Sequence, residues 1–459
     1  MKTKFSVLAL SFIVGGCSLV PNYNRPDLPI SGEFEVSAIT DSSTAIEWHD
    51  VFLDDSLKQL ITKALDENRT YQQAFYNVKS VQALYQIQKS AELPEVDAGV
   101  SLSRQSVPAS LATMQRWETT NQMSFNTQLS YELDVFGKLS SLSDAALQSY
   151  LASEEEKNAV QISLIAQVAS AYYSWKSSVS KVAIYESLLI NAETQLQLSQ
   201  EKLSSSMNSE IELSRAKSVV NDAKQQLSEM TKQQRSDEYL IELLVGANVD
   251  SILASAKETP IEGLAPFPVG TPSDLLLNRP DIRSAENVLK AANARIGAAR
   301  AAFFPSVRLT TSGGLASDDV SRLFDGGSGA WTFSPQISLP IFNGGRLKAN
   351  LAYSEHVKER EIASYELTIQ TAFKEVRDSL ATKQSYEQQL ELQLREIENS
   401  RSRLALISHR VNEGVDSYET QLAEERQLLR QEELLTNLRY STAASCVLLY
   451  KSVGGGWQI

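Results

Sequence analysis

Apolar residues recur along this chain with two different periods, and the switch between them happens twice. Leu57, Leu60, Ile61, Ala64 and Leu65 follow Asp54, Asp55 and Ser56 at helical spacing, and those three are good N-terminal residues, so a helix is predicted there. A second is predicted from about Thr70, with Ala74, Val78, Val81 and Leu84 on one side and Pro94 as its bound. The period then falls to two. Met123, Phe125, Thr127, Leu129, Tyr131, Leu133 and Val135 alternate with polar neighbours up to Phe136, and Val96, Ala98, Val100 and Leu102 do so before them, which predicts a strand pair near 96–136. From Ser140 to about Val245 the spacing is helical again. Leu213, Ala216, Val220, Ala223, Leu227 and Met230 take a and d positions of a heptad, and Leu189, Leu196 and Leu203 keep the same step before three serines, so the segment reads as an antiparallel hairpin with its tip near Ser206.

A proline-rich joint from Pro260 to Pro272 follows, and then the pattern repeats. Ala285, Val288, Leu289, Ala292 and Ile296 mark a helix ended by Pro305, as Pro94 ended its counterpart. Val307, Leu309 and Thr311, then Trp331, Phe333, Pro335, Ile337, Leu339 and Ile341, predict a second strand pair near 306–342. Long helices resume from Leu347, and Leu390, Ile397, Leu404 and Val411 step by seven towards Gly414. Gly414 is the only glycine between Arg346 and Gly454, so it is where the backbone most easily leaves helical geometry. Ser206 then corresponds to Gly414 and Ser209 to Ser417, an offset of 208. The organisation is a tandem duplication: a first repeat over 54–259, a linker over 260–273 and a second repeat over 274–459.

Each repeat offers two strands of roughly the nine to eleven residues that cross a bilayer when tilted. An open sheet edge in lipid leaves backbone donors and acceptors unpaired at several kcal/mol each, so such strands must close. Known membrane barrels begin at about eight strands, so four per chain predicts several copies sharing one barrel, a homotrimer giving twelve. A soluble sandwich is the alternative, because alternation alone does not say which medium meets the apolar face.

The N-terminus favours the membrane. Lys2 and Lys4 lead into the apolar run Phe5 to Val14, too short to span as a helix, then Gly15, Gly16 and Cys17. Residues 1–16 read as a signal peptide, Cys17 as the lipidated first residue of the mature chain, and 17–53 as a lipid-anchored extended leader rich in proline. The only other cysteine is Cys446, so no intrachain disulfide is expected. Cleavage removes Lys2 and Lys4 and no acid, taking the formal charge from −13 to −15, which argues against nucleic acid as a partner. His49, His356 and His409 stand in no metal-ligand spacing, and Gly326-Gly327-Ser328-Gly329 lacks the Gly-Lys-Ser/Thr of a phosphate loop. No enzyme, no metal and no cofactor is expected.

Three stretches carry a resemblance: Leu277-Asn278-Arg279-Pro280-Asp281-Ile282, Ala298 to Pro305, and Leu339-Pro340-Ile341-Phe342-Asn343-Gly344-Gly345-Arg346. With Val14-Gly15-Gly16-Cys17 as a lipobox, Pro21 to Pro26, and Trp48, Phe52, Asp54 and Leu57, the chain resembles the lipoprotein branch of the TolC superfamily, the outer-membrane factors of tripartite drug efflux pumps. Ser18 after the cysteine, as in lipoproteins it resembles, implies forwarding to the outer membrane. The resemblance implies a mainly α fold with membrane β: a trimeric twelve-stranded barrel continued by a long periplasmic α-helical coiled-coil barrel that closes at its far tip. It implies a passive exit duct for drugs and other small toxic compounds, with a periplasmic adaptor (membrane fusion protein) and a proton-driven inner-membrane transporter as partners. An exit duct for a protein or metal-ion exporter, or a non-channel periplasmic coiled-coil scaffold, are the alternatives.

The family's constriction follows the pattern Gly-Val-x-x-Tyr-Leu-x-x-Leu-Asp-x-x-Arg. This chain keeps Gly414, Val415, Tyr418, Leu422 and Arg426, and places Glu419 and Ala423 where the leucine and aspartate stand. The resemblance carries over Tyr418 and Arg426, and position alone adds Glu419 as a pore-facing carboxylate; with Leu422 and Asp416 they make the expected periplasmic gate, beside the hairpin tips at Gly414 and Ser206. Three like charges about 8 Å apart in a wet pore repel by only ~0.5–1 kcal/mol per pair, so carboxylates there would filter cations rather than force the gate open.

Overall fold

The computed structural model describes residues 18–27, 47–110, 117–205, 207, 209–257, 259, 264–265 and 279–455, apart from the side chain of Glu118. The helices are α1 (Trp48–Val51), α2 (Asp55–Glu67), α3 (Arg69–Ser90), α4 (Lys138–Ser204), α5 (Glu210–Val245), α6 (Asp250–Ala256), α7 (Pro280–Ala301), α8 (Arg346–Asn412) and α9 (Tyr418–Ser452). The strands are β1 (Glu95–Val107), β2 (Glu118–Leu133), β3 (Ser306–Ser317) and β4 (Gly329–Ser338). No described helix is long and apolar enough to cross a membrane. The chain divides into a sheet unit (1–27, 77–154 and 284–366) and a helical unit (28–76, 155–283 and 367–459).

In the sheet unit the four strands lie in the order β1-β2-β3-β4, every neighbouring pair antiparallel, leaving β1 and β4 as the edges. The alternation ends sooner than the sequence pattern does. β2 stops at Leu133 because the Asp134 carboxylate accepts from the backbone N–H of Leu139 (3.0 Å) and Ser140 (2.8 Å), starting α4 with Gly137 at φ +71°. β4 stops at Ser338, before Pro340, whose ring cannot donate to a ladder.

The helical unit is cored by α2, α4, α5, α6 and α9. Leu57, Leu60 and Ile61 of α2 pack with Tyr172, Tyr173 and Trp175 of α4, Ile241 and Val245 of α5, and Val447 and Tyr450 of α9. Asp54 caps α2 by accepting from Ser56 N (2.8 Å) and Leu57 N (3.1 Å), and its other oxygen accepts from the Tyr172 hydroxyl (2.7 Å), so one acid fixes both a helix start and a buried phenol. The buried Lys176 ammonium donates to the carbonyls of Ala256 and Thr259 at 2.6 Å, tying down the end of α6. Further along, the predicted heptad positions Val220 and Ala223 of α5 meet α4 in a seam with Ala192, Leu189 and Leu196, and Ala216, a third such position, is buried.

Candidate functional site

Two features could make a duct: a sheet with two unlike faces, and a closed helix tip. In the sheet the cross-strand register puts apolar residues in rows on one face. Val96, Leu129, Thr311 and Phe333 share one row, and Val100, Phe125 and Leu315 another. The opposite face is polar, with Ser101 and Ser124 hydroxyls 2.7 Å apart and Ser312 and Thr332 hydroxyls also 2.7 Å apart. Among the described residues nothing covers the apolar face of the edges; Val100, Trp331 and Ile337 are all exposed. Where the repeats meet inside the chain, Phe136 at the end of β2 stacks on Phe304 before β3, centroids 4.7 Å apart. The equivalent residues at the outer edges are open among the described residues: Phe342 is 91% exposed and Leu93 65%.

At the second tip α8 ends in a left-handed closure. Gly414 has φ +73°, its N–H donates to Val411 O (3.0 Å), and the Val415 N–H reaches back to Arg410 O (2.8 Å). The Arg410 guanidinium grips Asp416 with two bonds, Nε to Oδ2 at 2.6 Å and Nη2 to Oδ1 at 3.0 Å, and holds the Asp416 carboxyl below the usual aspartate range. Ser417 then caps α9, its hydroxyl accepting from Thr420 N at 3.3 Å.

The first turn of α9 faces α4. Glu419 pairs with Lys202 at 2.8 Å, so its charge is compensated within the chain. Leu422 is 2% exposed, while Tyr418 lies on a groove of about 330 Å³ with Ile190, Thr194, Leu404 and Leu429. Asn191 of α4 is buried between two turns of α9: its amide donates to Leu422 O (3.0 Å) and Glu425 Oε2 (3.2 Å), and its carbonyl oxygen accepts from Arg426 Nε (3.3 Å). Gln195 Oε1 accepts from Nη2 of the same guanidinium. Burial, and then the like charge of Arg430, press the Arg426 pKa below its ordinary value, because its partners are amide oxygens rather than carboxylates. The structure thus gathers Asp416, Tyr418, Glu419, Leu422 and Arg426 within three turns of Gly414. Cys17 and Ser206 lie outside the described residues, as do Leu277 and Asn278.

The sequence reading missed Lys202, Asn191, Gln195 and Arg410. One of them had a signal: Lys202 stands 208 residues before Arg410, and the Met207 N–H donates to Lys202 O at 2.9 Å just as Val415 does to Arg410. Among the described residues no cluster of His, Cys, Asp or Glu is arranged to hold a metal ion.

The sequence model of the family described as outer membrane efflux protein matches residues 60–247 and 271–455, one match in each repeat. A Pseudomonas putida relative named probable efflux pump outer membrane protein SepC is 40% identical over 474 residues, covering 100% of this chain and 98% of its own. The outer membrane protein OprJ of Pseudomonas aeruginosa is 36% identical over 462 residues, covering 99% and 96%. Among solved structures, the CmeC outer membrane channel of Campylobacter jejuni is similar with a TM-score of 0.88 at 26% identity, covering 96% of each chain. The open state of the MtrE outer membrane channel of Neisseria gonorrhoeae has a TM-score of 0.81 at 30% identity, covering 96% of this chain and 99% of that one.

Proposed function

The chain belongs to the outer membrane efflux protein family, and from that premise we propose that three copies build one exit duct, sharing a barrel in the membrane and gated at the helix tips. It is an outer-membrane efflux component, and relatives named for toluene, solvent and antibiotic efflux support small organic compounds as its cargo. The observation that carries the reading is the sheet: one face apolar, one polar, and both edges open. In lipid those edges must be paired, and three copies give twelve strands, within the range of known barrels. The apolar faces then meet hydrocarbon and the polar faces line water. No catalytic step belongs to this role.

The duplication also specifies how the edges meet. β4 repeats β2 at a shift of 206, with Ile337 for Tyr131 and Phe342 for Phe136, and β1 repeats β3 at a shift of 211, with Pro94 for Pro305. Carrying the β2–β3 register across puts Ile337 opposite Ala98 of the neighbouring copy, Phe333 opposite its Leu102 and Ser334 opposite its Ser101. Apolar residues then meet apolar ones. Phe342 covers Leu93 of the neighbouring copy as Phe136 covers Phe304.

The gate comprises Asp416, Tyr418, Glu419, Leu422 and Arg426, held shut by Asn191 and Lys202 of α4. Opening requires a partner that binds the released tip better than the tied one, and a periplasmic adaptor coupled to an inner-membrane transporter fills that role. Conductance in planar bilayers of the purified protein beside its Asn191→Leu variant, which lacks the tie that holds the tip, tests the duct: discrete channels are expected, rare without the substitution and frequent with it, and an SDS-resistant trimer of the variant that never conducts would contradict it.

A further inference from the structure

Residues 19–25 of the leader are seated along one face of α7. Glu286, Lys290, Asn293, Gly297 and Arg300 recur every three or four residues, so they form a single stripe on that helix. Each meets the leader in turn. Glu286 accepts from the Tyr23 hydroxyl and pairs with Arg25, Lys290 pairs with Glu286 (3.2 Å) and lies 5.7 Å from the Tyr23 ring centre, and Asn293 donates to Pro21 O at 2.8 Å. At Gly297 a Cβ would come within 2.4 Å of a Val20 methyl, so the glycine is the seat for that side chain. Arg300 reaches Leu19 O at 3.5 Å.

The lengths agree. Leu19 to Arg25 in extended polyproline-like form spans ~19 Å, and Glu286 to Arg300 along a helix spans ~21 Å. Proline at 21 and 26 keeps the strap extended and costs it no ladder bonds. Burial works to raise the Glu286 pKa, but the bonds from Arg25 and Lys290 outweigh it and leave the carboxyl below the usual glutamate range.

The consequence concerns the anchor. An unseated leader between Cys17 and Trp48 could extend to ~100 Å, whereas a strap pinned at Leu19 leaves about two residues, ~7 Å, of free tether. That pinned end is the end of α7 next to the turn into β3, where Phe303 N donates to Arg300 O (3.2 Å) and Phe304 N to Ala301 O (3.0 Å). Phe303 and Phe304 are both exposed there, with Phe304 backed by Phe136.

We propose that the α7 stripe is a docking site for the leader that delivers the acyl chains of Cys17 onto an apolar shelf formed by Phe303, Phe304 and Phe136 at the base of the sheet. This rests on the reading of Cys17 as lipidated. The lipid then belongs to the wall of the channel and is more than a tether.

The test uses the full-length protein in outer membranes with a benzophenone amino acid at position 303. After irradiation, peptide mass spectrometry is expected to find the acylated N-terminal peptide joined to the peptide containing residue 303. Glu286→Arg, which repels Arg25, and Gly297→Leu, which fills the Val20 seat, are each expected to lower that yield at least tenfold; Arg25→Glu with Glu286→Arg is expected to restore it. An acylated N-terminal peptide that is never joined to position 303, or is joined equally in all variants, would overturn the proposal while leaving lipidation intact. An N-terminal peptide of unmodified mass would overturn both.

Discussion

The two hairpin tips repeat one sequence pattern and now make different contacts. Both close with the same long bond, Met207 N to Lys202 O in the first and Val415 N to Arg410 O in the second, and both restart with a serine cap, Ser209 and Ser417. They differ in what the basic residue at the closure finds. Arg410 has Asp416 six residues on and forms a self-contained clasp. Lys202 has Asn208 at the corresponding place and takes Glu419 from the other tip instead, where the first repeat carries Ile211. One tip is internally braced; the other leans on its sister. A duplicated turn has thereby become an asymmetric pair, and the asymmetry ties the hairpins of one chain together.

Breaking the deepest tie should have the largest effect. Asn191→Leu removes the amide that satisfies both Arg426 and the Leu422 carbonyl, leaving a half-buried guanidinium short of acceptors at a cost of about 2 kcal/mol. If the tie holds the closed state, single-channel records should show roughly a thirtyfold rise in open probability, since about 1.4 kcal/mol is a factor of ten. An unchanged open probability would remove Asn191 from the gate. Next, Gly414→Val forces a β-branched residue to φ +73° and is expected to destabilise the second tip by ~1–2 kcal/mol, visible as faster hydrogen exchange at Val415 and Asp416. The same exchange measurement on Ser206→Gly should show no loss of protection at Met207, which separates the two tips directly.

Smaller effects concern charge. Lys202→Met frees Glu419 and is expected to cost under about 1 kcal/mol, because the pair is partly exposed, yet it should raise cation over anion permeability in reversal-potential measurements. Glu419→Leu should not. The smallest effect is expected at the clasp on acidification. Asp416 has its folded-state pKa lowered, so its pairing with Arg410 is present above the ordinary aspartate value and lost as pH falls through the lowered one. Channel noise arising from the second tip should therefore stay constant from neutral pH to about 5 and change only well below the usual aspartate pKa.

What the sequence disclosed and what it withheld divide along a physical line. Periods of two and of three and a half are set by local geometry, so the strands, the heptad seam at Val220 and Ala223, and the turn at Gly414 could be read directly. The duplication was visible because it is a relation between local patterns. Side chains that meet across packed helices leave no such trace: Asn191 and Arg426 are 235 residues apart, and Tyr23 and Glu286 are 263 apart. Glu419 illustrates the cost. Its position predicts a pore-facing carboxylate, and only the packing of α9 on α4 brings Lys202 to it. Strand ends were likewise overextended, because capping of α4 by Asp134 overrides an alternation that continues to Val135.

The central claim is that the contact between repeats inside the chain recurs between chains, closing a ring. It is tested most directly by cysteines at Ser101 and Ser334 in a Cys446→Ala background. The transferred register makes these a non-hydrogen-bonded cross-strand pair on the polar face, with Cα atoms about 4.5 Å apart and within disulfide range. Oxidation of the double variant in membranes is expected to convert it to a covalent trimer on boiled, non-reducing gels, whereas Ser103 with Ser334, one pair out of register on the same face, should cross-link poorly. A double variant that stays monomeric on oxidation, or links no better than the out-of-register pair, would contradict the account.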